Sequence, residues 1–157
     1  AVLFAKNAYE HKLLASLGPE PLSDAFSGAV LYERSRGKTR GVKKFIMDAK
    51  VVVGVGNIYA NEALFIAGIR PTVACGKISA KRYEKLAIAI KQVLAKAIQA
   101  GGTTLKDFVN GDGQPGYFKN ELMVYGREGL TCVQCDAPLT SVRIDNRATV
   151  YCSGCQR

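Results

Sequence analysis

The sequence predicts a mainly α-helical protein followed by a small four-cysteine β-ribbon, and three observations support this fold class. Apolar residues recur at helical spacing through most of the first hundred residues. Near the end, β-branched and aromatic residues partly alternate with polar ones on both sides of a turn sequence, which is typical of a hairpin. Two Cys-x-x-Cys pairs flank that hairpin.

Composition sets the limits of the fold and favours an anionic partner. The 157 residues, 48% of them apolar, suffice for one ordinary core and a small appendage. The net charge of +9 favours nucleic acid or a membrane surface as partner. No apolar run is long enough for a spanning helix, and the first residues lack the pattern of a signal peptide. We therefore expect a soluble, intracellular protein.

Four helices follow from the apolar spacing and from their end signals. Residues 6–17 place Tyr9, Leu13, Leu14 and Leu17 on one face, before Gly18 and Pro19. Ser23 is expected to cap a helix that runs to about Arg34, and Thr39 a short one with Val42, Phe45 and Ile46 inward. The helix at 79–99 has a core-facing stripe composed of Tyr83, Leu86, Ile90, Val93 and Ala97.

A glycine-bearing turn in residues 47–70, MDAKVVVGVGNIYANEALFIAGIR, precedes a further helix from about Asn57 to Ala67, closed by Gly68. A dinucleotide-binding loop is excluded, because Tyr59 stands where the third glycine is needed and no strand-helix alternation surrounds it. Asn57 is expected at the N-cap, where backbone amides and the helix dipole favour phosphate. The alternative is an ordinary cap without a ligand.

Residues 101–118, GGTTLKDFVNGDGQPGYF, are too long and polar for a simple connection. They predict either a mobile loop or a functional lid. Lys106 is placed to reach a ligand, and the alternative is a solvated lysine.

The four terminal cysteines have the spacing of a structural zinc site. Cys132, Cys135, Cys152 and Cys155 form two Cys-x-x-Cys pairs separated by sixteen residues. Four thiolates leave no open coordination position, so we expect one structural zinc ion and no metal catalysis. Disulfides or a redox pair are the alternative. Cys75 lies outside the pattern and is expected to be a small buried residue.

The hairpin between the two cysteine pairs is expected to present an arginine. PLTSVRI and ATVYC are separated by DNR, which places Asn146 and Arg147 at the tip. Such a two-stranded ribbon is marginal alone, so the metal would hold it together. Arg147 is then either a ligand contact or one more surface charge.

Several of these stretches together resemble one protein family. GPEPL at 18–22, VVGVGNIYANEALF at 52–65, AGGTTLKDF at 100–108, PGYF at 115–118, VYGR at 124–127 and the four cysteines occur in unbroken order. They resemble the C-terminal half of bacterial formamidopyrimidine-DNA glycosylases. The endonuclease VIII branch shares the helix-two-turn-helix and the zinc ribbon, but GGTTLKDF and PGYF are similar to the branch that removes oxidised purines.

The resemblance implies a DNA-repair glycosylase and lyase that acts on 8-oxoguanine and formamidopyrimidine in duplex DNA. Asn57 matches a phosphate-binding asparagine, and Arg147 matches an arginine that contacts phosphate and is assigned as proton donor in δ-elimination. Lys106 matches the segment that closes over the extruded base, and Lys38 lies near a lysine that contacts DNA. Such an enzyme would be a monomer in the bacterial cytoplasm, on the chromosome.

The resemblance also implies a division of the chain into 1–17, the last part of a β-rich catalytic domain, 18–118, the helix-two-turn-helix domain, and 119–157, the zinc ribbon. The family attacks the sugar with an N-terminal proline followed by an acidic residue. This sequence begins with Ala1. We therefore expect the 157 residues alone to be inactive, either as the DNA-binding part of a glycosylase or, alternatively, as a stand-alone module that binds duplex DNA.

Overall fold

A computed structural model describes residues 17–99 and 122–157. The first range contains α1 (Gly28–Ser35), α2 (Val42–Ile46), α3 (Asn57–Ala67), a 3-10 turn (Cys75–Lys77) and α4 (Ala80–Gln99). The second contains an antiparallel hairpin, β1 (Thr140–Ile144) and β2 (Arg147–Tyr151). The predicted fold class, mainly helical with a small ribbon, is confirmed. The predicted loop with Lys106 lies outside the described residues, as does the predicted helix at 6–17 except Leu17, which is not helical.

Helix α1 begins later than the sequence predicted. Ser27, not Ser23, is the N-cap, and its side chain accepts a bond from the Val30 amide. Ser23 instead donates its hydroxyl to the carbonyl of Glu20, which closes a separate turn. A Cβ at Gly28 would lie 2.5 Å from the backbone of Glu84, so glycine here lets α1 approach α4 closely.

Helix α2 also lacks its expected cap. Gly41 is the N-cap and makes no side-chain bond, so the prediction of Thr39 as cap was wrong. The local chain is held instead by backbone pairing, because the amide of Val42 donates to the carbonyl of Val73. The three residues predicted to point inward, Val42, Phe45 and Ile46, are fully buried.

Helices α3 and α4 form the centre of the apolar core. Helix α3 ends at Gly68, whose φ of 74° is the left-handed conformation that glycine adopts without strain. The predicted stripe of α4 is confirmed, since all of its members are buried: Tyr83, Leu86, Ile90, Val93 and Ala97. Cys75 is fully buried in the same cluster, as expected.

The hairpin turn is one residue earlier than predicted. Asp145 and Asn146 occupy it with φ values of 50° and 63°, which a two-residue type I′ turn requires. Arg147 is therefore the first residue of β2, where it pairs with Ile144, and is not part of the tip. The side chains of Asp and Asn tolerate positive φ better than that of Arg, which explains the shift.

The ribbon has a small apolar cluster of its own that rests on α3. Phe65 contributes to it from the helix, together with Val124, Leu139, Val150 and two of the cysteines. Within 17–99 and 122–157 there is no helix with the length and apolar character needed to span a bilayer.

Candidate nucleic-acid interface and metal centre

An open cleft of about 580 Å³ lies between the N-terminus of α3 and the turn of the hairpin. Among the described residues, none that lines it is acidic. Its walls include two glycines, two tyrosine rings and the guanidinium of Arg147. The lining residues are Met47, Gly54, Val55, Gly56, Asn57, Ile58, Tyr59, Tyr125, Asn146, Arg147 and Ala148. The fold thus brings Asn57 and Arg147, both predicted site residues, to one cleft.

Asn57 is the first residue of α3 and not its cap. Gly56 is the N-cap, and no side chain caps the helix. The Asn57 side chain turns to the ribbon, where Nδ2 donates to the carbonyl of Ala148 at 3.1 Å. Its Oδ1 is buried and has no hydrogen-bond partner among residues 17–99 and 122–157. An amide nitrogen carries two protons, and within the described residues only one of them has an acceptor.

Arg147 is exposed and lies across the cleft from the start of α3. The two positive elements that face the cleft are therefore a guanidinium and a helix N-terminus. Both favour phosphate, the first through bidentate hydrogen bonds and the second through backbone amides and the dipole.

Lys38 does not line this cleft. It is exposed in the turn after α1, where its carbonyl accepts a bond from the amide of Gly76. The structure therefore brings together two of the predicted ligand contacts, Asn57 and Arg147, and leaves Lys38 apart from them.

Lys43 is a buried lysine that sequence analysis did not single out. It is 2% exposed and joins α2 to the ribbon, since Nζ donates to Oγ1 of Thr149 at 2.6 Å. Burial, followed by the nearby charge of Arg147, lowers the pKa of Lys43 to about 8, while Asp145 opposes the shift. Its position after Val42 in a short apolar helix gave no signal that it points inward.

Two consecutive polar residues of α3, Asn61 and Glu62, are also buried and also missed. Asn61 accepts the amide of Val150 at 2.8 Å, on strand β2. The carboxylate of Glu62 accepts three backbone amides, from Met123, Val124 and Tyr125, at 2.7–2.9 Å. Burial raises the pKa of Glu62, against the opposing effect of these three bonds and of Arg127.

A polar pair inside the otherwise apolar stretch IYANEALFIA was the available signal for these contacts. Asn61 and Glu62 each hold a different segment of residues 122–157 against α3. Asn61 thereby fixes the strand that begins with Arg147, and Glu62 fixes the backbone of Tyr125, which lines the cleft.

The four predicted cysteines form one cluster with the geometry of a metal site. Their sulfurs all lie within 4.8 Å of one another, with 3.8 Å between Cys132 and Cys155 and 3.4 Å between Cys135 and Cys152. Two sulfurs on a tetrahedral zinc ion with bonds of about 2.3 Å lie about 3.8 Å apart. The backbone amides of Gln134 and Cys155 point to the sulfurs of Cys132 and Cys152. The four thiols can therefore hold a metal ion.

Comparison with known proteins places these features in a family. Residues 17–109 match the family model described as the formamidopyrimidine-DNA glycosylase H2TH domain. Over all 157 residues, the chain is 62% identical to the formamidopyrimidine-DNA glycosylase of Alcanivorax borkumensis and 59% identical to that of Pseudomonas savastanoi. It spans 58% of the length of each of these two relatives.

Solved structures agree with the sequence comparison. The MutM (Fpg) protein of Thermus thermophilus matches 94% of this chain, with 56% of its own length covered, at 40% identity and a TM-score of 0.81. The Lactococcus lactis Fpg in complex with DNA that contains an abasic site matches 97% of this chain, with 56% of its own length covered, at 30% identity and a TM-score of 0.84.

Proposed function

Because the chain belongs to the formamidopyrimidine-DNA glycosylase H2TH-domain family, we propose that its 157 residues form the DNA-binding part of a base-excision glycosylase and abasic-site lyase. The substrate would be duplex DNA with an oxidised purine, 8-oxoguanine or formamidopyrimidine. The observation that carries this proposal is the cleft, which sets Asn57 at a helix N-terminus opposite Arg147.

The two sides of the cleft suit two phosphates that flank an extruded nucleotide. Rotating a base out of the duplex costs a few kcal/mol of stacking, and firm binding of the neighbouring backbone offsets that cost. Asn57 would donate its second amide N–H together with the open backbone of the α3 N-terminus. Arg147 would bind a phosphate through its guanidinium.

Arg147 would also assist strand cleavage. In δ-elimination, which follows loss of the 3′ phosphate by β-elimination, the C5′–O bond of the imine-linked sugar breaks and the 5′ phosphate leaves. The leaving oxygen gains negative charge. A guanidinium that donates hydrogen bonds to that oxygen stabilises its charge. The resemblance assigns the matching arginine as the proton donor in this step. The amine that forms the imine belongs to the portion of the relatives that this chain does not span.

The four cysteines would hold one zinc ion in a structural role. A closed set of four thiolates has no position for water or substrate, so the ion stabilises the ribbon and does not take part in the reaction. The chain's own contribution is to keep β2, and with it Arg147, in place. Lys38 and the segment with Lys106 would add contacts to DNA and to the extruded base.

The proposal extends to the organisation and setting of the protein. Residues 1–17 would belong with a preceding catalytic domain, 18–118 would form the helix-two-turn-helix domain, and 119–157 the zinc ribbon. The protein would act as a monomer on the chromosome in the bacterial cytoplasm.

DNA binding tests the proposal directly. The zinc-loaded chain should bind a duplex with one tetrahydrofuran abasic analogue more tightly than the undamaged duplex, and log affinity should fall with log salt by about 0.9 per phosphate contacted. Arg147→Ala and Asn57→Ala should weaken binding and Arg147→Ala should also reduce the salt slope by about 1. Lys85→Ala, which removes one exposed positive charge from α4, is the charge-matched control.

Chemistry is tested separately by imine trapping. Borohydride should not link the 157 residues alone to a duplex with 8-oxoguanine, whereas the same residues preceded by a relative's first domain, beginning Pro-Glu, should form the adduct. Affinity that is indifferent to salt and to Arg147→Ala would refute the DNA-binding assignment. An adduct formed by the 157 residues alone would reveal a nucleophile in this chain.

A further inference from the structure

Asn61 occupies an unusual place for an amide side chain. It is 1% exposed in the middle of α3, and its neighbours Ala60, Ala63 and Leu64 are fully buried apolar residues. Burial of an amide is costly unless its hydrogen bonds are satisfied. All of the bonds that Asn61 makes lead toward the cleft or the strand that carries Arg147.

The carboxamide of Asn61 acts as a substitute for a neighbouring strand. Its Oδ1 accepts the amide of Val150 at 2.8 Å, and its Nδ2 donates to the carbonyl of Ala148 at 3.3 Å. Alternate residues of a strand direct their N–H and C=O groups to the same edge. β2 pairs with β1 along its other edge. Asn61 therefore hydrogen-bonds with the N–H of Val150 and the C=O of Ala148, which do not pair with β1.

The same side chain also joins the strand to Asn57. Nδ2 of Asn61 donates to the carbonyl of Asn57 at 2.8 Å, while the side chain of Asn57 reaches the same Ala148 carbonyl. Asn57, Asn61 and Ala148 thus form a closed set of hydrogen bonds. Arg147 directly precedes Ala148, so these hydrogen bonds fix the backbone next to Arg147.

We propose that Asn61 is a positioning residue, which sets the register of β2 on α3 and so holds Arg147 across the cleft from Asn57. This inference rests on the proposed function, because Asn61 would affect DNA binding only through the phosphate contact of Arg147. Asn61 touches no DNA itself. Lys43 supports the strand from the other side through Thr149, so three consecutive residues of β2 are tied to the helices.

A double-mutant cycle on the zinc-loaded chain tests the connection to Arg147. Asn61→Ala should weaken binding to the abasic-analogue duplex about 10-fold, within the range of coupling between residues in one network. The same change in an Arg147→Ala background should weaken it less than about 2-fold, because the group it positions is gone. Equal losses in both backgrounds would overturn the proposal.

Amide hydrogen exchange gives a second reading that does not depend on DNA. The Val150 amide should be protected in the parent and should exchange at least about 10-fold faster in Asn61→Ala, while the amide of Val142 on β1 should change little. Unchanged protection of Val150 would also overturn the proposal. If Arg147→Ala itself leaves DNA binding intact, the proposed function fails, and the exchange result still decides whether Asn61 holds the strand.

Asn61→Asp separates the acceptor for Val150 from the donors to Asn57 and Ala148, and its zinc content reports whether the chain still folds. It keeps the volume and the acceptor for Val150, but it replaces both donors with an oxygen that faces two carbonyls. An oxygen that faces two carbonyls in a buried site is repelled, so we expect DNA binding at least as weak as that of Asn61→Ala, with zinc retained. Parent-like binding and exchange in Asn61→Asp would show that the donors to Asn57 and Ala148 do not position the strand.

Discussion

The helical region and the ribbon are stabilised by different means. The helices enclose a continuous apolar cluster that extends from Phe26 to Ala97, with further side chains packed around it. The ribbon has a small cluster, part of which consists of cysteines of the candidate metal site, and it is attached to the helices through Phe65 and through buried polar groups. The helical part should therefore tolerate loss of the metal, and the ribbon should depend on it.

The attachment is polar at both ends of the ribbon. Asn61 and Lys43 hold β2 near the cleft, whereas Gln156 holds the last turn, where it accepts the amide of Cys152 and donates to the carbonyl of Ile69. Polar contacts specify position more sharply than apolar ones, because each needs a particular distance and direction. A region that has to place one arginine against DNA benefits from that specificity.

Removal of the metal should produce the largest effect. Without zinc the ribbon should unfold, because its metal-binding free energy is folding free energy, while the far-ultraviolet circular dichroism of the helices should persist. DNA binding should fall to the level of Arg147→Ala or below. Metal analysis of the purified chain should give one zinc per chain.

Two buried cysteines provide a matched test of that expectation. Cys132 is 1% exposed and Cys75 is fully buried, so both substitutions disturb a buried site. Cys132→Ser should lose the zinc and the ribbon, whereas Cys75→Ser should keep both. Full zinc content in Cys132→Ser would contradict the assignment of the metal ligands.

A cavity in the helical core should have the next largest effect. It should destabilise the helices and leave the ribbon with its zinc. Leu86 is fully buried on α4, and Leu86→Ala should lower the free energy of unfolding of the helical region by about 2–5 kcal/mol. Urea unfolding followed by circular dichroism measures this. Zinc content should stay at one per chain under native conditions, and its loss would show that the two regions are less independent than their cores indicate.

The sequence predicted best what depends on local pattern. The stripe of α4, the stop at Gly68 and the spacing of the cysteines each arise from residues close together in the chain, and all agree with the structure. The predictions of Ser23, Thr39 and Asn57 as N-caps were wrong, because the local sequence does not select among neighbouring candidates. Several residues able to cap lie within a few positions of each helix start, and tertiary packing chose among them.

The polar attachments could not be read from periodicity. Asn61 and Val150 are separated by 89 residues, and Lys43 and Thr149 by 106, so no local spacing reports their contact. The resemblance identified Asn57 and Arg147 because their motifs are distinctive, and the structure then placed both at one cleft. The resemblance did not reveal that the side chain of Asn57 donates a hydrogen bond to the ribbon.

Neutralising the charge of Glu62 should have a smaller effect than the core cavity. Glu62→Gln keeps the shape but leaves an amide group facing backbone N–H donors, so at least one of three bonds is lost. We expect a loss of about 1–3 kcal/mol in the free energy of unfolding. Glu84→Gln, on the exposed side of α4, is the control and should change it by less than about 0.5 kcal/mol. Equal effects of the two variants would show that the Glu62 carboxylate does not hold residues 123–125.

The last expected effect is a change in the pH dependence of stability at Lys43. Its pKa is about 8 in the folded protein and 10.5 ordinarily, so between these values the unfolded state binds more protons. The contribution of Lys43 to stability is therefore full above about pH 10.5 and is lost as the pH falls through 8. At neutral pH the charged, buried ammonium imposes its whole cost.

Lys43→Met removes this titration while keeping a side chain of similar length. Urea unfolding of the zinc-saturated chain between about pH 7 and about pH 9.5 should show a rise in stability for the parent that is absent in Lys43→Met. Lys44→Met on the same helix is the control, because Lys44 is exposed and its ion pair with Asp145 is long, at 3.6 Å. Its curve should keep the slope of the parent. Identical slopes in all three proteins would mean that Lys43 titrates as a solvated lysine, and the ribbon would then be held near the cleft by Asn61 without an opposing buried charge.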